Sequence, residues 1–186
     1  MSPDERLRLF LALRLPDPVL DALEAWQHAE LRHAPGVRIV PRDHLHVTLA
    51  FLGRRPASEL DAVLAELRRA AAGAGRELRL ASARYRETRS VGMIVLDDEQ
   101  GRAAALADDV QAGLERLGVY RREARDWLPH VTVARFRERP RLRLDPPALG
   151  TFVPSDAAAY LSRLRPSGAQ YEVLESVALG AQPGGR

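Results

Sequence analysis

A six-residue pattern occurs twice in this chain, with four of its positions identical. His46-Val47-Thr48-Leu49-Ala50-Phe51 returns 84 positions later as His130-Val131-Thr132-Val133-Ala134-Arg135. Val, Thr, Leu and Phe favour strands, and neither copy fits a helical stripe, so each reads as a β-strand. Side chains of a strand alternate between its two faces, which sends the His and the Thr of each copy to the same side. Two such surfaces brought together would offer a pair of groups that titrate near neutrality and a pair of small hydrogen-bonding groups. That set suits one acid/base reaction on a polar substrate.

The repeat falls once in each half of 186 residues, which argues for a single domain, 1–186, built as two lobes with one His-x-Thr strand apiece. Outside the hexapeptide, the halves show no residue-level repetition that a sequence reading can defend. The absence of cysteine excludes disulfides, thiolate catalysis and cysteine-ligated zinc. The apolar run from Leu7 to Leu15 is interrupted by Arg8 and Arg14 and ends at Pro16, so it reads neither as a signal peptide nor as a membrane span. A cytoplasmic protein without a membrane partner is the expectation. All 28 basic residues are arginine, and the formal net charge of +3 leaves a surface that attracts phosphate-bearing ligands.

Along the chain, a strand at Arg8 to Leu13 is followed by a helix opening at Asp17-Pro18, with Leu20, Leu23, Trp26 and Leu31 as its apolar stripe and a stop before Pro35-Gly36. A short strand at Val37 to Val40 leads through Pro41-Arg42-Asp43 into the first His/Thr strand, Leu45 to Leu52. Ser58 caps a helix running to Ala72, packed through Leu60, Val63, Leu64 and Leu67, and Gly73-Ala74-Gly75 ends the unit. Strands at Leu78 to Tyr85 and Val91 to Leu96, a helix from about Gln100 to Leu117, the second His/Thr strand from His130 to about Arg137, and strands at Ala158 to Leu164 and Tyr171 to Leu179 complete the pattern. Ser167-Gly168 turns between the last two. Because strands arrive in adjacent pairs as well as across helices, the expected fold is α+β: a duplicated, two-lobed arrangement of two mostly antiparallel sheets flanked by helices, with the active site in the cleft between them.

Two of the five histidines sit at equivalent places in apolar strands, where an unpaired imidazole costs stability unless it has a use. His46 and His130 are therefore the candidate catalytic pair. Phe51 and Arg135 fill the matching sixth positions; an aromatic face stacks on a base and a guanidinium holds a phosphate, although Phe51 reads equally well as core. Trp127 reads as packing, and His28 and His33 as solvated. In His44-Leu45-His46, two imidazoles would share a strand face, and His130 would make a third ligand, which keeps a metallohydrolase open as a rival. The favoured reading needs no metal and no cofactor.

These residues resemble the two-histidine phosphoesterase superfamily, and more narrowly the bacterial and archaeal RNA 2′,3′-cyclic phosphodiesterases first described as 2′-5′ RNA ligases. The resemblance rests on Arg8 to Leu13, Leu45 to Gly53, Pro129 to Arg135, and the closing Leu161-Ser162-Arg163-Leu164 with Pro166, Gly168-Ala169 and Tyr171. It implies that His46 donates a proton to the leaving oxygen, that His130 activates water, that Thr48 and Thr132 bind the phosphate and that Arg135 contacts it. It further implies a monomer acting without metal on RNA ends or small nucleotides that carry a 2′,3′-cyclic phosphate, with opening to a 2′-phosphomonoester and the reverse 2′-5′ ligation. Val stands where Leu is commoner inside both motifs, and Tyr85 to Val91 is arginine-rich where relatives carry Phe and Pro. A non-catalytic nucleotide- or RNA-binding module, and a phosphodiesterase acting on another cyclic or ADP-ribose-type substrate, are the alternatives.

Overall fold

The computed structural model describes residues 5–74, 78–166 and 168–180. Its elements are β1 (Arg6–Arg14), α1 (Asp17–Glu30), β2 (Val37–Ile39), β3 (His46–Pro56), α2 (Leu60–Gly73), β4 (Leu80–Glu87), β5 (Val91–Asp97), α3 (Arg102–Arg116), β6 (His130–Phe136), β7 (Thr151–Phe152), β8 (Asp156–Arg165) and β9 (Gly168–Val177). Among the described residues the strands form one antiparallel sheet in the order β7-β4-β5-β6-β3-β1-β8-β9, with β2 added on β6. Two sheets were expected, and the halves are instead continuous. The two His strands, β3 and β6, meet at one register pair, Val47 with Val131. Beyond it β6 takes β2 as its neighbour, through Val37 to Ile39, so the two His strands diverge from this point and leave an opening between the lobes. The mixed helix-and-strand class is as expected.

The alternation of β1 shows how the layers are set. Leu7, Leu9, Leu11 and Leu13 are buried in the main core, while Phe10 and Ala12 pack on the other face with Ala158, Tyr160 and Tyr171. Burial of side chains of this size contributes about 1.5–3 kcal/mol each. The helices supply the matching apolar stripes: Val19 and Leu23 of α1, Val63, Leu64 and Leu67 of α2, and Leu106, Val110 and Leu114 of α3 are buried. Leu20 and Trp26 are only partly buried, and Gln27 takes the inward position beside Leu23.

Several boundaries differ from expectation for local reasons. Pro16, not Asp17, occupies the N-cap of α1. Ser58 lies in a 3-10 turn, Ala57–Glu59, and makes no cap; α2 starts only at Leu60. The helix expected from about Gln100 starts at Arg102 with Gly101 as its N-cap, and the Asp98 carboxylate accepts from the backbone N–H of Ala103 at 3.2 Å and of Ala104 at 2.8 Å. The two-residue β7 escapes sequence periodicity altogether. Gly75 and Ser167, named above for a linker and a turn, fall outside the described residues.

Irregular pairing matters more than these boundaries. Against β1, Leu11 faces Ala50 and Ala12 faces Thr48, so Leu49 is an extra residue; against β5, Gly92 faces Ala134 and Met93 faces Thr132, so Val133 is extra. Each His strand thus carries a bulge directly after its Thr, and a bulge exchanges the faces of the residues that follow.

Candidate active site

Antiparallel pairing at Val47 and Val131 sets His46 across from Thr132 and Thr48 across from His130, all four on the face opposite to the buried valines. The bulges then add the sixth motif residues to that face. Phe51 is the register partner of Phe10, and Arg135 that of Val91. Simple alternation would have sent both toward the core, which is why Phe51 reads ambiguously from sequence; in the structure it is 48% exposed. Because the strands run in opposite directions, Phe51 lies beyond Thr48 toward His130, and Arg135 beyond Thr132 toward His46.

His130 is oriented from behind. Its Nδ1 is 2.8 Å from the carbonyl oxygen of Leu128, two residues earlier, which holds a proton on Nδ1 and leaves Nε2 with its lone pair. His46 makes the same kind of backbone hydrogen bond to His44, also two residues earlier. Burial pushes the His46 imidazole down to about 4; the bond to His44 opposes this, and electrostatic repulsion from His44, His130 and Arg135 adds to it. His46 is therefore neutral in the empty site at pH near 7.

An aromatic wall backs His46. Its ring lies 4.9 Å from Phe10, 5.9 Å from Tyr160 and 5.8 Å from Tyr171. Burial raises the Tyr160 phenol above its ordinary value, so it stays protonated. On the other side, a cavity of about 680 Å³ is lined by Thr48, Phe51, His130, Trp127, Arg86 and Met93 among others. Arg8 covers one face of Phe51 at 4.6 Å and is held there by Ser162 Oγ at 2.6 Å. Arg135 lines a separate open depression with Arg38, its register partner on β2, and neither arginine pairs with a carboxylate among the described residues. Two such cations side by side make this depression positively charged.

His44 is not on the His46 strand. It closes the 3-10 turn Arg42–His44, with its ring 4.2 Å from Tyr171 and its Nε2 3.8 Å from Asp43. Among the described residues no group of three or more His, Cys, Asp or Glu is arranged to hold a metal ion. That turn is anchored by Arg42, which donates to Asp17, Asp21 and Glu24 along one side of α1 at 2.6–2.9 Å. Trp127 does pack, as expected, and also ties the lobes: its Nε1 donates to the Thr48 carbonyl at 2.9 Å. His28 and His33 are exposed. The sequence reading missed Phe10, Tyr160 and Tyr171 as neighbours of His46, because their strands lie far away in sequence.

Residues 15–169 match the model of the 2′-5′ RNA ligase superfamily. The chain belongs to this family. A Thermus thermophilus RNA 2′,3′-cyclic phosphodiesterase is 34% identical, over 96% of this chain and 93% of that protein, and a Methanocaldococcus jannaschii protein of the same description is 23% identical, over 91% and 99%. Among solved structures, the crystal structure of TT0787 of Thermus thermophilus superposes with a TM-score of 0.76 at 31% identity, covering 95% of this chain and 100% of that one. Escherichia coli LigT complexed with 3′-AMP superposes at 0.75 with 24% identity, over 95% and 100%, a likeness of fold. Among the described residues no helix of the chain is long and apolar enough to cross a membrane.

Proposed function

We propose that this chain hydrolyses the 2′,3′-cyclic phosphodiester at an RNA end to a 2′-phosphomonoester, without metal, through His46 and His130. The observation that carries the reading is the Val47–Val131 pair, with an imidazole and a hydroxyl on either side of it. His130, with Nδ1 engaged by Leu128, takes a proton from water through Nε2 as the water oxygen bonds to phosphorus. The P–O3′ bond breaks, and His46 delivers the proton that makes the 3′-hydroxyl. Thr48, Thr132 and Arg135 stabilise the charge that grows on the non-bridging oxygens, and Phe51 stacks on the base. Each proton transfer is worth about 10²–10⁴ in rate. Burial keeps His46 neutral in the free site, and a negative diester bound beside it favours the protonated form that the acid role requires.

With a 5′-hydroxyl in place of water the same pair performs the ligation: His130 takes the hydroxyl proton as the P–O5′ bond forms, the P–O3′ bond breaks, and His46 protonates O3′, leaving a 2′-5′ phosphodiester. A short RNA ending in 2′,3′-cyclic phosphate, incubated with EDTA and analysed for the phosphate position, tests the reading. EDTA-resistant conversion to the 2′-phosphate is expected; a substrate left intact, or turnover abolished by EDTA, contradicts it. Binding of the cyclic end without conversion would identify a nucleotide-binding module instead.

A further inference from the structure

We propose that Gln27 and Gln111 are positioning residues that hold the bulges of the two His strands and so keep Arg135 and Phe51 on the face of the imidazoles; the proposal rests on the functional reading above. The two glutamines are 84 positions apart, the same offset as His46 and His130, and they extend the repeat into the helices. Gln111, on α3, donates from Nε2 to the carbonyl of Leu49 at 2.8 Å. Gln27, on α1, donates from Nε2 to the carbonyl of Val133 at 2.8 Å and to that of Val40 at 3.0 Å. Leu49 and Val133 are the extra residues of the two bulges.

The coincidence has a physical reason. A bulge pulls one peptide out of the ladder, and its carbonyl needs a new donor if the distortion is to persist. Strand and helix come from opposite halves in each case: α1 of the first half serves β6, and α3 of the second half serves β3. Gln27 is 2% exposed, so its carboxamide sits in apolar surroundings and spends both N–H groups on strand carbonyls. Val133 also accepts from the Val40 N–H at 3.0 Å, which leaves its carbonyl a partner if Gln27 is removed. Without the bulges, the sixth motif residue would share a face with Val47 or Val131.

The test is a pair of double-mutant cycles on kcat/KM for a short RNA ending in 2′,3′-cyclic phosphate. Gln111→Met and Gln27→Met keep side-chain length and delete the donor, and each is made in the wild type, in Phe51→Ala and in Arg135→Ala. Loss of one such bond is expected to lower kcat/KM about five- to tenfold in the wild type. Gln111→Met should then cost almost nothing further in Phe51→Ala and its full effect in Arg135→Ala, with the opposite pattern for Gln27→Met. A general loss of stability would not sort by lobe. A Gln111→Met effect that is absent in the wild type, or undiminished in Phe51→Ala, overturns the proposal, and this arm decides alone should Gln27→Met fail to fold. An inactive wild type would strike the functional reading instead; a crystal structure of Gln111→Met then decides, the proposal requiring Phe51 to leave the His46 face.

Discussion

Val47 and Val131 are register partners, and through this one pair the two His strands, β3 and β6, are joined in the sheet. Both valines are fully buried, so the residues before and after each of them must face the opening between the lobes. The site is thus built around an approximate two-fold relation, yet its two ends differ: Phe51 and the cavity it lines at one, Arg38 and Arg135 at the other. A substrate that carries a base at one end and phosphate charge at the other is matched by that asymmetry.

The two histidines are predicted to separate by leaving group. His46→Ala should lose about 10²–10⁴ in kcat on the RNA cyclic phosphate but stay active on an aryl phosphodiester, whose phenolate departs without a proton. His130→Ala should be impaired on both, because water still needs a base. Rates on the two substrates check this; equal losses for His46→Ala on both would reverse or remove its role as acid.

Acid should destabilise the fold through His46. Its folded value of about 4 lies below the ordinary 6.5, so the unfolded chain takes up a proton that the folded one refuses. Stability is then full above 6.5, falls as pH is lowered through the window from 6.5 to about 4, and loses up to about 3 kcal/mol. Urea midpoints for the wild type and His46→Gln, at about pH 7 and about pH 4.5, measure this. The variant should show the smaller drop.

Much of this was legible in the chain. His46 and Thr48, or His130 and Thr132, share a face by strand alternation alone, and the apolar stripes of the helices announce which side they bury. Phe51 was not legible, because a bulge is a property of two strands together and leaves no mark in one. The same limit hid Phe10 and Tyr160, which reach His46 through long-range pairing of β1 with β3 and β8. His44 failed for a local reason: the turn begun at Pro41 closes by bonding the N–H of His44 to the Pro41 carbonyl at 2.9 Å, so the strand starts two residues later than the pattern suggests.

Phe51 should act on binding, and Arg135 on binding and on the transition state. Phe51→Ala is expected to raise KM about 5- to 150-fold on RNA and far less on an aryl phosphodiester that has no base, since stacking is worth about 1–3 kcal/mol per base. Arg135→Ala should raise KM on both substrates. Steady-state kinetics on the two substrates distinguish the patterns.

Glu87 should matter for stability alone. Its carboxylate, 2% exposed, accepts from Arg139 Nε and the Arg141 N–H at 3.0 Å and from the Leu142 N–H at 2.8 Å, and so pins a segment in which Arg141 has a left-handed φ of 59°. Glu87→Ala leaves four donors without their acceptor, these three and the Tyr85 hydroxyl at 3.2 Å, and should cost about 3 kcal/mol in urea unfolding while kcat at low temperature is retained.

The central claim is that two imidazoles from opposite halves carry one reaction. It is tested most directly by kcat/KM of His46→Ala, His130→Ala and the double variant on an RNA ending in 2′,3′-cyclic phosphate, with folding checked by circular dichroism. Each single variant is predicted to lose about 10²–10⁴, and the double variant to lose much less than the product of the two, because the pair acts as a unit. A folded single variant that turns over at the wild-type rate would contradict the account.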